Sequence, residues 1–289
     1  MRGIILVNAY SKMKEPLFCA KRLQEEFEKR GVFTEIRRND FFAAIVDGSV
    51  KCDLKGYDFC VYLDKDKYVL QGLERAGLPL FNGRAAIEAC DDKMTTFLAL
   101  AGQGIKMPLT LPAPLCYQAD AVVSEEALDK IERALGYPLV VKRSYGSCGT
   151  GVYLVHDRAE LKQKSAELLF EPHLYQRYIK ESHGRDIRVI VIGGKVLGAM
   201  IRQSKDDFRS NLALGASAQV YELSPKEIET CEKIATVLKL DYCGVDLLPA
   251  KDGPYLCEVN SNAFFLGFER TTKLNVAGAY AEHILSKLK

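Results

Sequence analysis

The chain has 289 residues, 48% of them hydrophobic and 27% charged, with a formal net charge of +2. That length supports a large buried core, and so balanced a charge gives neither a basic field for nucleic acid nor a cationic face for a membrane. No apolar stretch reaches the length of a membrane span, and the apolar run in the opening MRGIILVNAY is too short for a secretory signal. We therefore expect a cytoplasmic protein with neither nucleic acid nor membrane as partner.

GIILVN reads as a buried strand. Leu17, Ala20, Leu23 and Phe27 then recur at helical spacing, and Gly31 marks the stop. VFTEIR and YDFCVYL read as two more strands, so a parallel α/β lobe is expected over residues 1–88. A new unit is expected to open near Ala85, and we assign 89–289 to it. Asp91 and Asp92 are placed to cap a helix carrying Met94, Phe97, Leu98 and Ala101. Pro108, Pro112 and Pro114 mark a connector. Ser124 opens a helix that Gly136 ends. PLVVKRS and VYLV are strands flanking the glycine-rich GSCGTG, and Asp157 with Glu160 forms a capping box. RDIRVIVI and KVLGAMI form a hairpin at Gly193-Gly194. Ser224, Pro225 and Glu227 open a helix with Ile228, Cys231, Ile234 and Leu238 on one face. GVDLLP and YLCEVN form a second hairpin about Lys251-Asp252-Gly253, and a last helix ends the chain. The nine cysteines are odd in number and lack a CxxC pair. They read as reduced core residues, and with four scattered histidines they offer no zinc-ligand spacing.

Three places carry chemistry. With the second hairpin's turn centred on Asp252, Asp246 and Glu258 are cross-strand neighbours, where like charges repel. Asn260 shares a face with Glu258, being two positions along the same strand. Three oxygen-bearing side chains then converge, and a hard cation such as Mg²⁺ would relieve the repulsion. The bland reading is two solvent-facing carboxylates, but the neighbouring residues on both strands are apolar. In VVKRSYGSCGTGV, a strand delivers Lys142 just before Gly146, Gly149 and Gly151, whose backbone N–H groups can approach a phosphate. The lysine precedes the glycines, so this is not a P-loop, and alone the segment would pass for a turn. Cys148 lies in this loop with no base partner, which argues against a nucleophilic role. Finally, Asp186 and Arg188 share a strand face, Arg202 ends the partner strand, and Lys205, Arg209 and Asn211 follow, a set able to hold phosphates and a developing oxyanion. Lys180, Arg185 and Lys205 read equally well as solvated charges.

These residues resemble the ATP-grasp superfamily, and within it the RimK-like glutamate ligases. The segments that carry the resemblance are DDKMTTFLALAGQGIKMPLT, PLVVKRSYGSCGTGV, LYQRYIKESHGRDIRV, DFRSNL, LDYCGVDLL and EVNSNAFFLGFERTTK, spanning roughly residues 80 to 280 in family order. The resemblance implies a three-lobed α/β ATP-grasp fold: the N-terminal parallel lobe, a small lid lobe about 108–176 and a C-terminal lobe about 177–289, with ATP between the last two. It implies that Lys142 and Lys93 contact the nucleotide, whose phosphates the loop of Gly146 and Gly149 is placed to approach, and that Gln176, Arg177, Tyr178 and Ile179 line the adenine. Asp186 would hold the ribose side, and Arg209, Ser210 and Asn211 the phosphate end. Asp246, Glu258 and Asn260 would ligate Mg²⁺, as two ions, with Mn²⁺ a substitute. Arg202 would stabilise the acyl phosphate and the tetrahedral intermediate, and Lys142 and Lys93 would assist the metal in neutralising the transferring phosphate. A homo-oligomer is the assembly implied. Three departures stand out: Arg177 replaces a glutamate in Q-E-Y-I, EVNSNAFF replaces E-V-N-x-S-P-G, and LDKDKY replaces an arginine signature after the third strand of the first lobe.

The expected activity is ATP-dependent joining of a carboxylate to an amine through an acyl phosphate, adding an amino acid such as glutamate to an amino acid, peptide or protein acceptor. The alternatives are a kinase that stops at phosphoryl transfer, and a nucleotide-binding regulator without catalysis.

Overall fold

The computed structural model describes every residue except 41, 42, 53, 55, 213 and 214. β1 (Arg2–Val7), α1 (Lys14–Lys29) and β2 (Phe33–Arg38) open the chain, followed by a hairpin of β3 (Ala43–Val46) and β4 (Ser49–Cys52) that the sequence reading does not anticipate. β5 (Phe59–Leu63), α2 (Lys67–Arg75) and β6 (Leu80–Phe81) complete a parallel sheet in the order β2-β1-β5-β6. Ala20, Leu23 and Phe27 of α1 pack on it, but Leu17 is exposed and Cys19 holds the inward position.

α3 (Arg84–Asp91) and α4 (Lys93–Leu100) follow. The Asp92 carboxylate caps α4, accepting from the N–H groups of Met94 at 2.8 Å and Thr95 at 3.2 Å. The buried face of α4 is Lys93, Thr96, Phe97 and Leu100. The expected face is therefore corrected: Leu98 lies about 100° round the helix from Phe97 and faces solvent with Ala101.

An antiparallel layer follows, built from β7 (Thr110–Pro112), α5 (Glu125–Leu135), β8 (Leu139–Arg143), β9 (Val152–Val155), α6 (Arg158–Glu167) and β10 (His173–Arg177), with strand order β7-β10-β8-β9. Ser124 caps α5 and Gly136, at φ 64°, ends it. Asp157 caps α6 through the Glu160 N–H, but Glu160 reaches back to the N–H of His156, not to that of Asp157. The capping box there is only half formed.

β11 (Arg185–Ile192) and β12 (Lys195–Gln203) make the expected hairpin, with Gly193 and Gly194 at φ 58° and 75°. β13 (Ser217–Tyr221), α7 (Pro225–Val237), β14 (Tyr242–Leu248) and β15 (Tyr255–Asn260) follow, and α8 (Leu266–Thr272) with α9 (Val276–Lys287) closes the chain. The capping box of α7 is complete. The five strands order as β13-β12-β11-β14-β15, all antiparallel. The period of two along β11 splits its residues between two cores. Ile187, Val189 and Val191 pack with Phe97, Leu100 and the apolar face of α7. Ile190 and Ile192 join α1, α9 and the first sheet. Asp186 and Arg188 lie on this second face, toward the other end of the strand. The same face is thus apolar at one end and charged at the other, and the charged end is where the site forms.

Candidate active site

β14 and β15 pair Asp246 with Glu258 and Gly244 with Asn260, and the register shifts just beyond Asp246. That is the register read from a turn centred on Asp252. The neighbouring strand adds what the hairpin alone does not reveal. β11 places Arg188 opposite Asp246, and β12 places Arg202 opposite Asp186. Arg188 grips Asp246 through both oxygens, Nε on Oδ1 and Nη2 on Oδ2 at 2.7 Å. Arg202 is bidentate to Asp186, with both bonds 2.6 Å, and its Nη2 lies 3.1 Å from Oδ2 of Asp246. All four side chains are buried. Burial alone would raise the pKa of Asp246, but the two guanidinium groups outweigh it and hold the carboxyl below its usual value.

Asp246 therefore has its charge countered by the protein, which corrects the simple picture of two carboxylates awaiting a cation. Glu258 is the open member. It is partly exposed and its nearest cation is Lys93 Nζ at 3.5 Å. Asn260 donates weakly to Asp246 at 3.4 Å through Nδ2, which leaves its carbonyl oxygen as a metal-ligating atom. Among the described residues no three His, Cys, Asp or Glu side chains cluster to hold a metal. The set here is two carboxylates and one amide, all hard oxygen donors, and it suits Mg²⁺ shared with phosphate oxygens.

Lys142 on β8 is buried, with Nζ 5.3 Å from the centre of the Phe97 ring. Burial pushes its pKa below the usual value. Lys93 donates to the carbonyl of Gly146 at 3.0 Å, so one ammonium touches both the glycine loop and Glu258. Gly149, at φ 76°, presses against Asn211: a Cβ there would meet Oδ1 at 2.8 Å. Arg209 donates to the Gly149 carbonyl at 2.8 Å and is clamped by Asp207. Only a residue without a side chain lets this loop lie so close to the 209–211 segment.

Two cavities meet here. The first is walled by Lys93, Lys142, Gly146, Gly149, Gln176, Arg177, Tyr178, Ile179, Asp186, Arg209, Ser210, Asn211, Asp246 and Glu258. Arg188, Arg202 and Asn260 wall the second, and Gly151 and Lys205, also nominated from sequence, line neither. Ser147, Asn211 and Glu258 line both. Within the first, Gln176 is held by Thr110 at 2.8 Å, and the Tyr178 hydroxyl by His183 at 2.6 Å. The exposed Arg177 side chain donates to the Ala134 carbonyl, so what replaces the glutamate here is anchored on α5. Asp186, expected at the ribose, has both oxygens occupied by Arg202.

The sequence reading misses the far wall of the second cavity. Asn8 and Asp64 stand just past the carboxyl ends of β1 and β5, where open parallel sheets bind ligands. Asn8 and Asn39 donate to the Asp64 carboxylate, and burial raises its pKa. Asn262 donates to the Asp64 carbonyl at 2.7 Å, tying this wall to the segment after β15.

This arrangement, two α/β lobes closing on a glycine loop with a carboxylate hairpin beneath it, is that of the ATP-grasp fold. D-alanine–D-alanine ligase from Bacillus anthracis, complexed with ATP, superposes with a TM-score of 0.76 at 21% identity, covering 100% of this chain and 97% of that one. Residues 90–284 match the RimK-like ATP-grasp domain, and the chain belongs to that family. It is 38% identical over 231 residues to human beta-citrylglutamate synthase B, and the match covers 79% of this chain and 58% of that protein. It is likewise 38% identical over 224 residues to the probable alpha-L-glutamate ligase of Methanococcoides burtonii, covering 75% of this chain and 70% of that one. The match thus takes in little more than half the length of the first of these relatives. Among the described residues no helix is long and apolar enough to cross a membrane.

Proposed function

We propose that the protein is an ATP-dependent carboxylate–amine ligase, with ATP in the first cavity, the molecules to be joined in the second, and reaction at their junction. The observation that carries this reading is the shared wall: Glu258, Asn211 and Ser147 face both cavities. A γ-phosphate presented there would meet a carboxylate from the other side. The names of the relatives, a citrylglutamate synthase and a glutamate ligase, support an amide-forming reaction with glutamate as one substrate.

Lys142, with no protein acceptor in hydrogen-bonding reach among the described residues, is free to meet phosphate oxygens, and Lys93 steadies the loop above them. Glu258 and Asn260, with Asp246, would hold Mg²⁺, as two ions, and Mn²⁺ suits the same oxygen donors. The metal supplies charge neutralisation on the transferring phosphoryl group. The substrate carboxylate attacks the γ-phosphorus and ADP leaves, giving an acyl phosphate. An amine then attacks the acyl carbon. Arg202, fixed by Asp186 and Asp246, faces the second cavity to receive the developing oxyanion. Phosphate departs and the amide remains. The glycine loop keeps water from the acyl phosphate.

The test is ADP release with Mg²⁺ over paired amino acids and short peptides, with mass detection. The ligase reading requires ADP only when carboxylate and amine are both present, and a product equal to their sum less water. A phosphorylated product with no amine requirement would make the protein a kinase, and nucleotide binding without ADP from any pair would leave two readings, a protein acceptor outside the panel or a regulator.

A further inference from the structure

The second cavity, of about 590 Å³, is the size of an ordinary small-ligand site. Its charges are mostly committed. Arg188 and Arg202 answer Asp246 and Asp186, and Lys65 pairs with Asp91 at 2.9 Å. Of the cations in its wall, Arg270 alone has no ion pair or hydrogen bond among the described residues. Three carboxylates, Glu15, Asp64 and Glu258, also line it.

The rest of the wall is largely apolar, and part of it comes from the segment that departs from the family pattern. The tandem phenylalanines there divide their roles. Phe265 is fully buried, with its ring 6.4 Å from Phe18 and 6.3 Å from Tyr242. Phe264 lines the cavity beside Leu212 and Leu266, all three half-buried. Half-buried apolar side chains around a concave site gain from a ligand's apolar surface. A ligand's second carboxylate would find no uncommitted cation and would face Glu15 and Asp64.

Resting on the ligase reading, we propose that one of the two molecules joined carries an apolar side chain, seated against Phe264, Leu212 and Leu266, with one non-reacting carboxylate on Arg270. Its class is an amino acid or peptide end with an aliphatic or aromatic group.

The experiment measures kcat/KM for ADP release with glutamate paired against leucine, methionine, phenylalanine, aspartate and glutamate, each also N-acetylated or amidated. Pairs with an apolar member should exceed all-acidic pairs by about tenfold or more, the scale set by a methylene or two in a fitted pocket. Phe264→Ser should remove that advantage, mainly through KM. Arg270→Ala should raise KM for the free acid but not for its amide. All-acidic pairs reacting faster, or an unchanged ratio in Phe264→Ser, would overturn the inference while leaving the ligase reading in place. If no pair yields ADP, the ligase reading fails separately, and thermal stabilisation by the same compounds with ADP and Mg²⁺ decides the inference. Leucine or phenylalanine stabilising more than glutamate would support it, and glutamate stabilising as much or more would overturn it.

Discussion

Replacing Asp246 by asparagine should damage both the fold and the reaction, whereas Glu258→Gln should damage the reaction alone. Asp186, Arg188, Arg202 and Asp246 are buried together with two charges of each sign. A neutral amide in place of the Asp246 carboxylate would leave two guanidinium groups facing one carboxylate, with an uncompensated positive charge out of water. Removing one member of a buried pair costs about 3–5 kcal/mol. At roughly 2–4 °C per kcal/mol for a chain of somewhat smaller size, the unfolding midpoint should fall by roughly 6–20 °C. Glu258 has one cation at 3.5 Å and a side chain 22% exposed, so its loss should cost at most about 1 kcal/mol. Scanning calorimetry of both variants at neutral pH in EDTA reads the difference. The Asp246 carboxyl is held below its usual value, so its stabilisation is full above the ordinary carboxylate range and is lost as pH falls through the lowered pKa. The gap between wild type and Asp246→Asn should therefore narrow in strong acid. An Asp246→Asn protein as stable as Glu258→Gln would refute this account of the ion cluster.

Lys142 is held below its usual pKa by burial and must be protonated to meet phosphate. ATP affinity should therefore fall as pH climbs toward the ordinary lysine value of 10.5, and titration calorimetry should find that slope missing in Lys142→Ala. At pH 7.5 Lys142→Ala should bind ATP about ten- to a hundredfold more weakly, the worth of a charged hydrogen bond, and the surface variant Lys180→Ala should match wild type. Gly149→Ala puts a Cβ 2.8 Å from Asn211 Oδ1 in left-handed backbone. It should lower turnover by about tenfold or more with under about 2 kcal/mol lost from stability, which steady-state kinetics and denaturant titration can separate. Asn82 bonds the carbonyls of Tyr242 and Ser261 and the N–H groups of Asp241 and Tyr242. Asn82→Ala leaves those buried groups unsatisfied and should cost about 2–4 kcal/mol in urea unfolding.

What the sequence makes legible here is what local spacing decides. The β14–β15 register follows from a turn centre and a period of two, and it puts Asp246 against Glu258. Gly136, Gly193 and the Ser224–Glu227 box punctuate elements through their own backbone chemistry, and they mark the boundaries observed. Leu98 escapes because a short helix with apolar residues on several sides leaves its rotation to tertiary contacts, here Lys93 reaching the glycine loop. The Arg188–Asp246 pair escapes because it joins strands 58 residues apart, and nothing in either segment states that they are neighbours. Asn8 and Asp64 escape for the same reason. Their role depends on how the parallel sheet faces the later hairpin, and the side chains that complete a site between lobes carry no spacing signal of their own.

The most direct test of the central claim is isotopic. With ¹⁸O in the substrate carboxylate, attack on ATP moves one labelled oxygen into the acyl phosphate, and amine attack at carbon releases it with the phosphate. The account predicts one ¹⁸O in each inorganic phosphate formed alongside amide and ADP. Unlabelled phosphate accompanying amide formation would contradict it.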